Sequence, residues 1–351
     1  MKVLSRLAYN VFQPAFLLCN VVNTIASGSE NAGRGDGIPQ KSLLLMPLIS
    51  LLQILIGSAF SKIVSSLAKL EGDEKNDSRV CMTFVNSATL PFIFAAALFK
   101  DKPELMADVS SCLSFYLLVW SPAFWSYGQS LLLSGSKTSS SVSSSTSNGL
   151  LVGLQKLFSP PVIGSTIGIF IGSIAPFRDA FLKDGMLSPL FRATKTLGTA
   201  YLPAAILVLS GSLIGKKSND VVQSNDTKSS QYEALEQQLQ QPLSTRSLVS
   251  ILFARFILSP IIAYITIDML STFTNILPPP QTRARAVVAF IILMEGCMPP
   301  AQNSVLILQL AGCKRRAEKM AKLLTLIYAI SIVPITLLMS IALQFSEVMS
   351  F

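Results

Sequence analysis

Residues 295–304 constrain this chain most. The stretch Glu295-Gly-Cys-Met-Pro-Pro-Ala-Gln-Asn-Ser304 sits inside a long apolar run, with residues 287–293 before it and 305–310 after it. Two adjacent prolines cannot continue a regular helix, because each lacks an N–H and its ring clashes with the carbonyl four residues back. Lipid does not tolerate free backbone groups, so a membrane helix broken there is buried in protein or lines a wet cavity, as in transporter binding sites. A weaker copy lies upstream, Phe84-Val-Asn-Ser-Ala-Thr-Leu-Pro-Phe92, which also sets Asn and Ser beside Pro in an apolar run. The competing reading is a pair of ordinary proline kinks, since proline is common in membrane helices. The clustering of polar residues at both breaks argues against it.

A membrane reading requires the right composition. Of 351 residues, 50% are hydrophobic and only 13% charged, against roughly 25% charged in a soluble domain. The mean hydropathy is +0.54. Apolar runs fall at 3–27, 42–68, 80–99, 109–133, 159–175, 194–215, 246–270, 284–311 and 320–346, each near or above the roughly 20 residues that cross a bilayer. The chain therefore reads as an all-α polytopic membrane protein with about nine spans. In the run 159–175, Gly164, Gly168 and Gly172 form a close-packing face, expected to meet the run 194–215.

The sequence has no histidine, which excludes His-based triads and His metal sites. Cys19, Cys81, Cys112, Cys297 and Cys313 form no CxxC pair and read as small buried hydrophobes rather than disulfides or ligands. No metal or cofactor is implied, and no nucleophile–base pair suggests an enzyme. The net charge of +9 sets orientation rather than marking a nucleic-acid binder. With Met1 in the cytosol, 17 cations fall on the cytosolic side and 10 on the other, and Arg255 lies inside a span. That orientation makes the Ser-rich loop 134–158 and the polar loop 216–245 cytosolic. Residues 232–239 in the second loop carry weak helical periodicity.

The order of elements recurs on either side of the Ser-rich loop. Tyr9-Asn-Val-Phe-Gln-Pro14 parallels Ala200-Tyr-Leu-Pro203; spans with Pro47 and Pro260 follow, then the breaks at Pro91 and at Pro299-Pro300, then spans with Pro122 and Pro334. Five spans per half would invert one half relative to the other, the plan of many secondary transporters.

These motifs resemble the auxin efflux carrier family and, within it, the PIN-LIKES branch. Residues 160–178 and 202–213 carry its Pro-Pro start, small residues along the helix, Pro-Phe-Arg178 end and later Gly; Ala254-Arg-Phe-Ile-Leu-Ser-Pro260 and Met298-Pro-Pro-Ala-Gln-Asn303 match two more of its stretches. The first break departs from the family pattern at Ala88 and Thr89. The resemblance implies ten spans, of which the first is absent here. It also implies two broken helices crossing near the midplane, as in bile-acid-type and sodium/proton-antiporter-type carriers.

Mapped by resemblance, 1–27 and 159–215 form a scaffold. Residues 42–133 and 246–351 form a transport domain, with crossovers near 86–91 and 295–303. The implied substrate is a small, auxin-like organic anion, carried across the endoplasmic reticulum membrane rather than the plasma membrane or another endomembrane. Asn86, Ser87, Pro91, Pro299, Pro300, Gln302 and Asn303 are the expected substrate-binding residues, with half-helix N-termini and amide donors facing a carboxylate. Arg255 and Glu295 are candidate charge or coupling groups, for which structural pairing and substrate contact both stand open. Lipids are the surrounding partners, nucleic acid is not one, and a homodimer is compatible with the plan. A ligand-sensing receptor that keeps the fold without flux is the alternative.

Overall fold

The computed structural model describes residues 2–31, 38–87, 89–134, 159–182, 185–213, 244–273 and 277–351, and among them the chain is helical with no strand. Both polar loops fall outside the described residues except for Ser134, Ser244 and Thr245. The first run is α1 (Lys2–Leu7), a π-type turn at Ala8–Phe12 and α2 (Gln13–Asn31). Next come α3 (Gln40–Leu67), α4 (Gly72–Thr83), α5 (Leu90–Leu98), α6 (Pro103–Ala123) and α7 (Gln129–Leu133). The later part holds α8 (Pro160–Ser173), α9 (Ala175–Phe181), α10 (Ser188–Thr199), α11 (Tyr201–Leu213), α12 (Thr245–Phe253), α13 (Ser259–Phe273), α14 (Arg283–Cys297), α15 (Asn303–Leu310) and α16 (Lys314–Ser346).

Proline sets many of these boundaries. It stands in the first turn of α5, α6, α8, α9 and α10, where its missing N–H costs nothing and its fixed φ suits a helix start. Deeper in a helix it distorts the ladder. The π-type turns Ala8–Phe12 and Ala254–Leu258 each end two residues before a proline, Pro14 and Pro260. Each proline strips the carbonyl four residues back of its usual donor, and a widened turn takes up the misfit.

Four helical stretches among the described residues are long and apolar enough to cross a membrane: Lys41–Leu67, Pro103–Leu133, Thr245–Thr272 and Lys314–Ser346. A fifth is counted if α8 and α9, bent by 105°, form one span. The other apolar runs are held in shorter pieces. The run 80–99 is divided between α4 and α5, the run 284–311 between α14 and α15, and 194–215 between α10 and α11 at Ala200.

The glycine face of α8 meets α2, not the run 194–215 that its spacing suggested. A Cβ built on Gly164 would lie 2.4 Å from the Pro14 carbonyl oxygen, on Gly168 2.9 Å from that of Leu18, and on Gly172 2.9 Å from Ile25 Cβ. Helix α10 joins the same partner, since a Cβ on Gly198 would sit 2.9 Å from Phe16 Cα. Glycine spacing announces a close approach but carries no information about which helix makes it.

The centre belongs to the second broken run. From Ala286 to Leu308 every residue is buried, and up to Met294 the segment is apolar on all sides. Outer helices instead leave apolar faces uncovered, with Leu44, Leu48 and Leu55 on α3 and Val333, Leu337 and Ile341 on α16. The charges sort to two ends. At one, Arg316 pairs with Asp73 (3.2 Å) and Asp77, while Ser78 bonds Ser247 and Asn76 bonds Ser134. At the other, Arg283 pairs with Glu104 (2.8 Å) and Asp108 (2.7 Å), and Lys102 donates to the Met349 carbonyl. In both clamps the carboxylates occupy the second and sixth positions of a helix, α4 in one and α6 in the other.

Candidate functional site at the crossing of two broken helices

Between α4 and α5 the backbone turns extended at Phe84 (φ −105°, ψ 119°), and between α14 and α15 at Met298 (φ −73°, ψ 144°). The breaks meet. Val85 and Pro300 form an isolated antiparallel bridge, with Asn86 N donating to Pro299 O (2.8 Å) and Ala301 N donating to Phe84 O (3.0 Å). Groups that each break releases from its own helix are thus satisfied by the other break.

Side chains extend the crossing. Asn86 Nδ2 donates to the Tyr328 hydroxyl (2.7 Å), which donates to Pro300 O (2.9 Å). Asn86 Oδ1 accepts from Thr89 N (3.1 Å), and Thr89 Oγ1 accepts from Gln302 Nε2 (3.2 Å). The Tyr201 hydroxyl donates to Asn303 Oδ1 (3.0 Å) and accepts from Asn303 Nδ2 (2.8 Å). Asn86, Ser87, Gln302 and Asn303 are all buried, and Pro91 sits buried in the first turn of α5. The structure therefore brings the expected site residues of both breaks to one place. In this conformation tyrosine hydroxyls occupy both asparagine amides.

The two charged candidates take different partners. Arg255, only 2% exposed, lies in the π-type turn between α12 and α13. Its Nε and Nη2 donate to Met298 O (3.2 and 3.1 Å) and its Nη1 to Met82 O (3.1 Å). Both carbonyls stand where a helix stops, at the negative end of its dipole, so one guanidinium caps both incoming half-helices. Of the two roles left open for Arg255, structural pairing and substrate contact, the structure forms a pairing, with the crossover carbonyls.

Glu295 is 1% exposed, so it is not an interfacial group. Its Oε2 accepts from Ser87 Oγ (2.6 Å), fastening the end of α14 to the loop of the other break. Its Oε1 has no hydrogen-bond partner. A space of about 30 Å³ lies beside it, also lined by Gln53, Thr83, Arg255 and Ser259. That volume is enough for a water or two.

Tyr201, Tyr328 and Thr89 were not among the sequence-selected site residues. Tyr201 stands in the repeat motif Ala200-Tyr-Leu-Pro203, two residues before its proline. Nothing local marks Tyr328, which lies mid-helix in α16 and reaches the crossing only through packing.

The sequence matches the family described as "Membrane transport protein" over residues 1–339. It is 23% identical to Protein PIN-LIKES 3 of Arabidopsis thaliana, over 89% of this chain and 81% of that protein. It is 23% identical to Protein PIN-LIKES 4 of the same plant, over 86% and 80%. An uncharacterized transporter of Schizosaccharomyces pombe is 22% identical over 88% of this chain and 83% of its own length. The chain is an integral membrane protein of the membrane transport protein family, that of the auxin efflux carriers, and is similar to its PIN-LIKES members.

Proposed function

We propose that the protein is a carrier of small organic anions, auxin-like in chemistry, working by alternating access across the endoplasmic reticulum membrane. Asn86 and Asn303 are its central donors, and Ser87, Pro91, Pro299, Pro300 and Gln302 shape the site around them. The observation that carries this reading is the Val85–Pro300 bridge, which puts both sets of buried amides and hydroxyls around one crossing. An incoming carboxylate takes donors from the asparagine amides and from the hydroxyls of Tyr201 and Tyr328, which turn from their present partners. Uncharged donors hold an anion without the tight grip of a buried cation, and Arg255 is engaged by backbone.

In this reading 1–27 and 159–215 form the scaffold, and 42–133 with 246–351 form the moving domain. The apolar runs make nine spans in two inverted repeats. The paired clamps at opposite ends support the repeat. Exchanging α4 with α14 and α6 with α16 carries the ion-paired helices α4 and α16 onto the ion-paired helices α14 and α6, with acid and base trading places.

The test is uptake of labelled indole-3-acetate into sealed vesicles holding the purified protein. Saturable flux is expected, and saturable binding with no flux would identify a sensor instead. Asn303→Ala is expected to cost about 1–3 kcal/mol of binding, roughly 5- to 150-fold, with folding retained. Wild-type affinity and flux in Asn86→Ala/Asn303→Ala would move the site elsewhere. Co-fractionation of the native protein with plasma membrane would overturn the compartment.

A further inference from the structure

A second cavity, far larger than the space beside Glu295, opens at the end of the molecule that carries Arg283 and Lys102. Its volume is about 340 Å³, within the range of small-molecule sites. Ala286 and Ala289 of α14 form its floor, Tyr264, Asp268 and Ser271 one wall, and Phe345, Glu347 and Phe351 the other. At the floor itself α14 presents two small methyl groups, those of Ala286 and Ala289.

Three features make this more than a packing gap. First, its charges are mixed: Arg285 is held on one wall by a hydrogen bond to Ser271 Oγ, while neither Asp268 nor Glu347 has an ion pair among the described residues. Second, two of the three non-glycine residues with left-handed backbone among those described, Gln281 (φ 61°) and Glu347 (φ 55°), line it. Such backbone costs free energy and gathers where a site demands it. Third, Tyr264 and Phe345 close the cleft edge to face at 5.1 Å and are each about half exposed. They adjoin uncovered apolar faces, with Ile261, Ile265 and Met269 on α13 and Leu337 and Ile341 on α16.

We propose that this cavity binds the headgroup of a zwitterionic phospholipid with a primary amine, a phosphatidylethanolamine. The ammonium lies between Asp268 and Glu347, with aromatic faces beside it. The phosphate meets Arg285, and the acyl chains lie along the outer apolar faces of α13 and α16. A primary ammonium offers three donors to the two carboxylates, which a quaternary choline cannot. The site is separate from the crossing and does not depend on its role.

The test is lipid retention after reconstitution into equimolar phosphatidylethanolamine and phosphatidylcholine, followed by detergent purification and native mass spectrometry. The wild-type protein is expected to retain the ethanolamine lipid in preference to the choline lipid. Asp268→Asn/Glu347→Gln should lower the retained ethanolamine lipid by about tenfold, the scale of one lost charge-assisted hydrogen bond. Ala289→Leu should do the same by filling the floor, and thermal unfolding in detergent reports whether each variant is folded. If neither folds, Arg285→Gln, which removes the phosphate's partner, should lower the retained ethanolamine lipid as well. Equal retention of both lipids by the wild type, or equal retention by wild type and folded variants, overturns the proposal. Binding of soluble phosphoethanolamine without retained lipid also overturns the lipid assignment and gives the headgroup a water-soluble source.

Discussion

At the crossing of the two breaks, neighbouring segments are joined by groups that the breaks set free. Along the seam of α2 and α8 they are joined by the lack of side chains. The crossing satisfies backbone N–H and C=O groups through Pro299 O, Phe84 O and the guanidinium of Arg255. The seam brings the Pro14 carbonyl so near Gly164 that a single added carbon has no room. The first is specified by polar groups with alternatives, since a hydroxyl or an amide can exchange partners. The second is specified by backbone contact, which has no second arrangement at similar cost. A region that must take up and release a ligand belongs to the first kind.

The sharpest way to break this contrast is to remove the second break. Pro299→Ala/Pro300→Ala restores both N–H groups, lets α14 run on toward α15 and dissolves the Val85–Pro300 bridge. Flux into vesicles is expected to fall to background while folded yield in detergent persists. Appreciable flux in this variant would show that the bridge is not needed.

Arg255→Leu comes next. It leaves Met82 O and Met298 O without donors in a buried setting, a cost of about 2–6 kcal/mol for the two carbonyls together. Its thermal unfolding midpoint should drop well below that of the wild type. An unchanged midpoint would return Arg255 to the candidates for substrate contact.

Gly164→Ala probes the seam. The new methyl would lie 2.4 Å from Pro14 O, and overpacking of this kind costs about 1–3 kcal/mol. Folded yield should fall, while the affinity of the protein that does fold stays unchanged. Gly57→Ala is the control. Its Cβ would lie 3.5 Å from Thr83 O, an ordinary contact, so yield should hold.

Glu104→Ala gives the smallest effect. Its side chain is 78% exposed where it meets Arg283, and such pairs contribute about 0–1 kcal/mol. Asp108, nearly enclosed beside the same guanidinium at 6% exposure, should matter more than Glu104 in the same unfolding assay. The reverse order would mean that the clamp acts from its solvent side.

What the sequence determined by itself rests on short-range physics. Pro299-Pro300 and Pro91 fix where helices stop, because a missing N–H and a ring clash need no tertiary context. The runs of apolar residues fix a helical membrane protein for the same local reason. The glycines of α8 announce a close approach. Only the tertiary structure decided the partners. It put α2 against Gly164, set Arg255 on two carbonyls rather than on Glu295, and brought Tyr328 from mid-helix to Asn86. Each of these joins residues far apart in the chain, and a donor's type tells only that it requires an acceptor. Which acceptor it meets is settled when the helices pack, and composition and spacing carry no record of that.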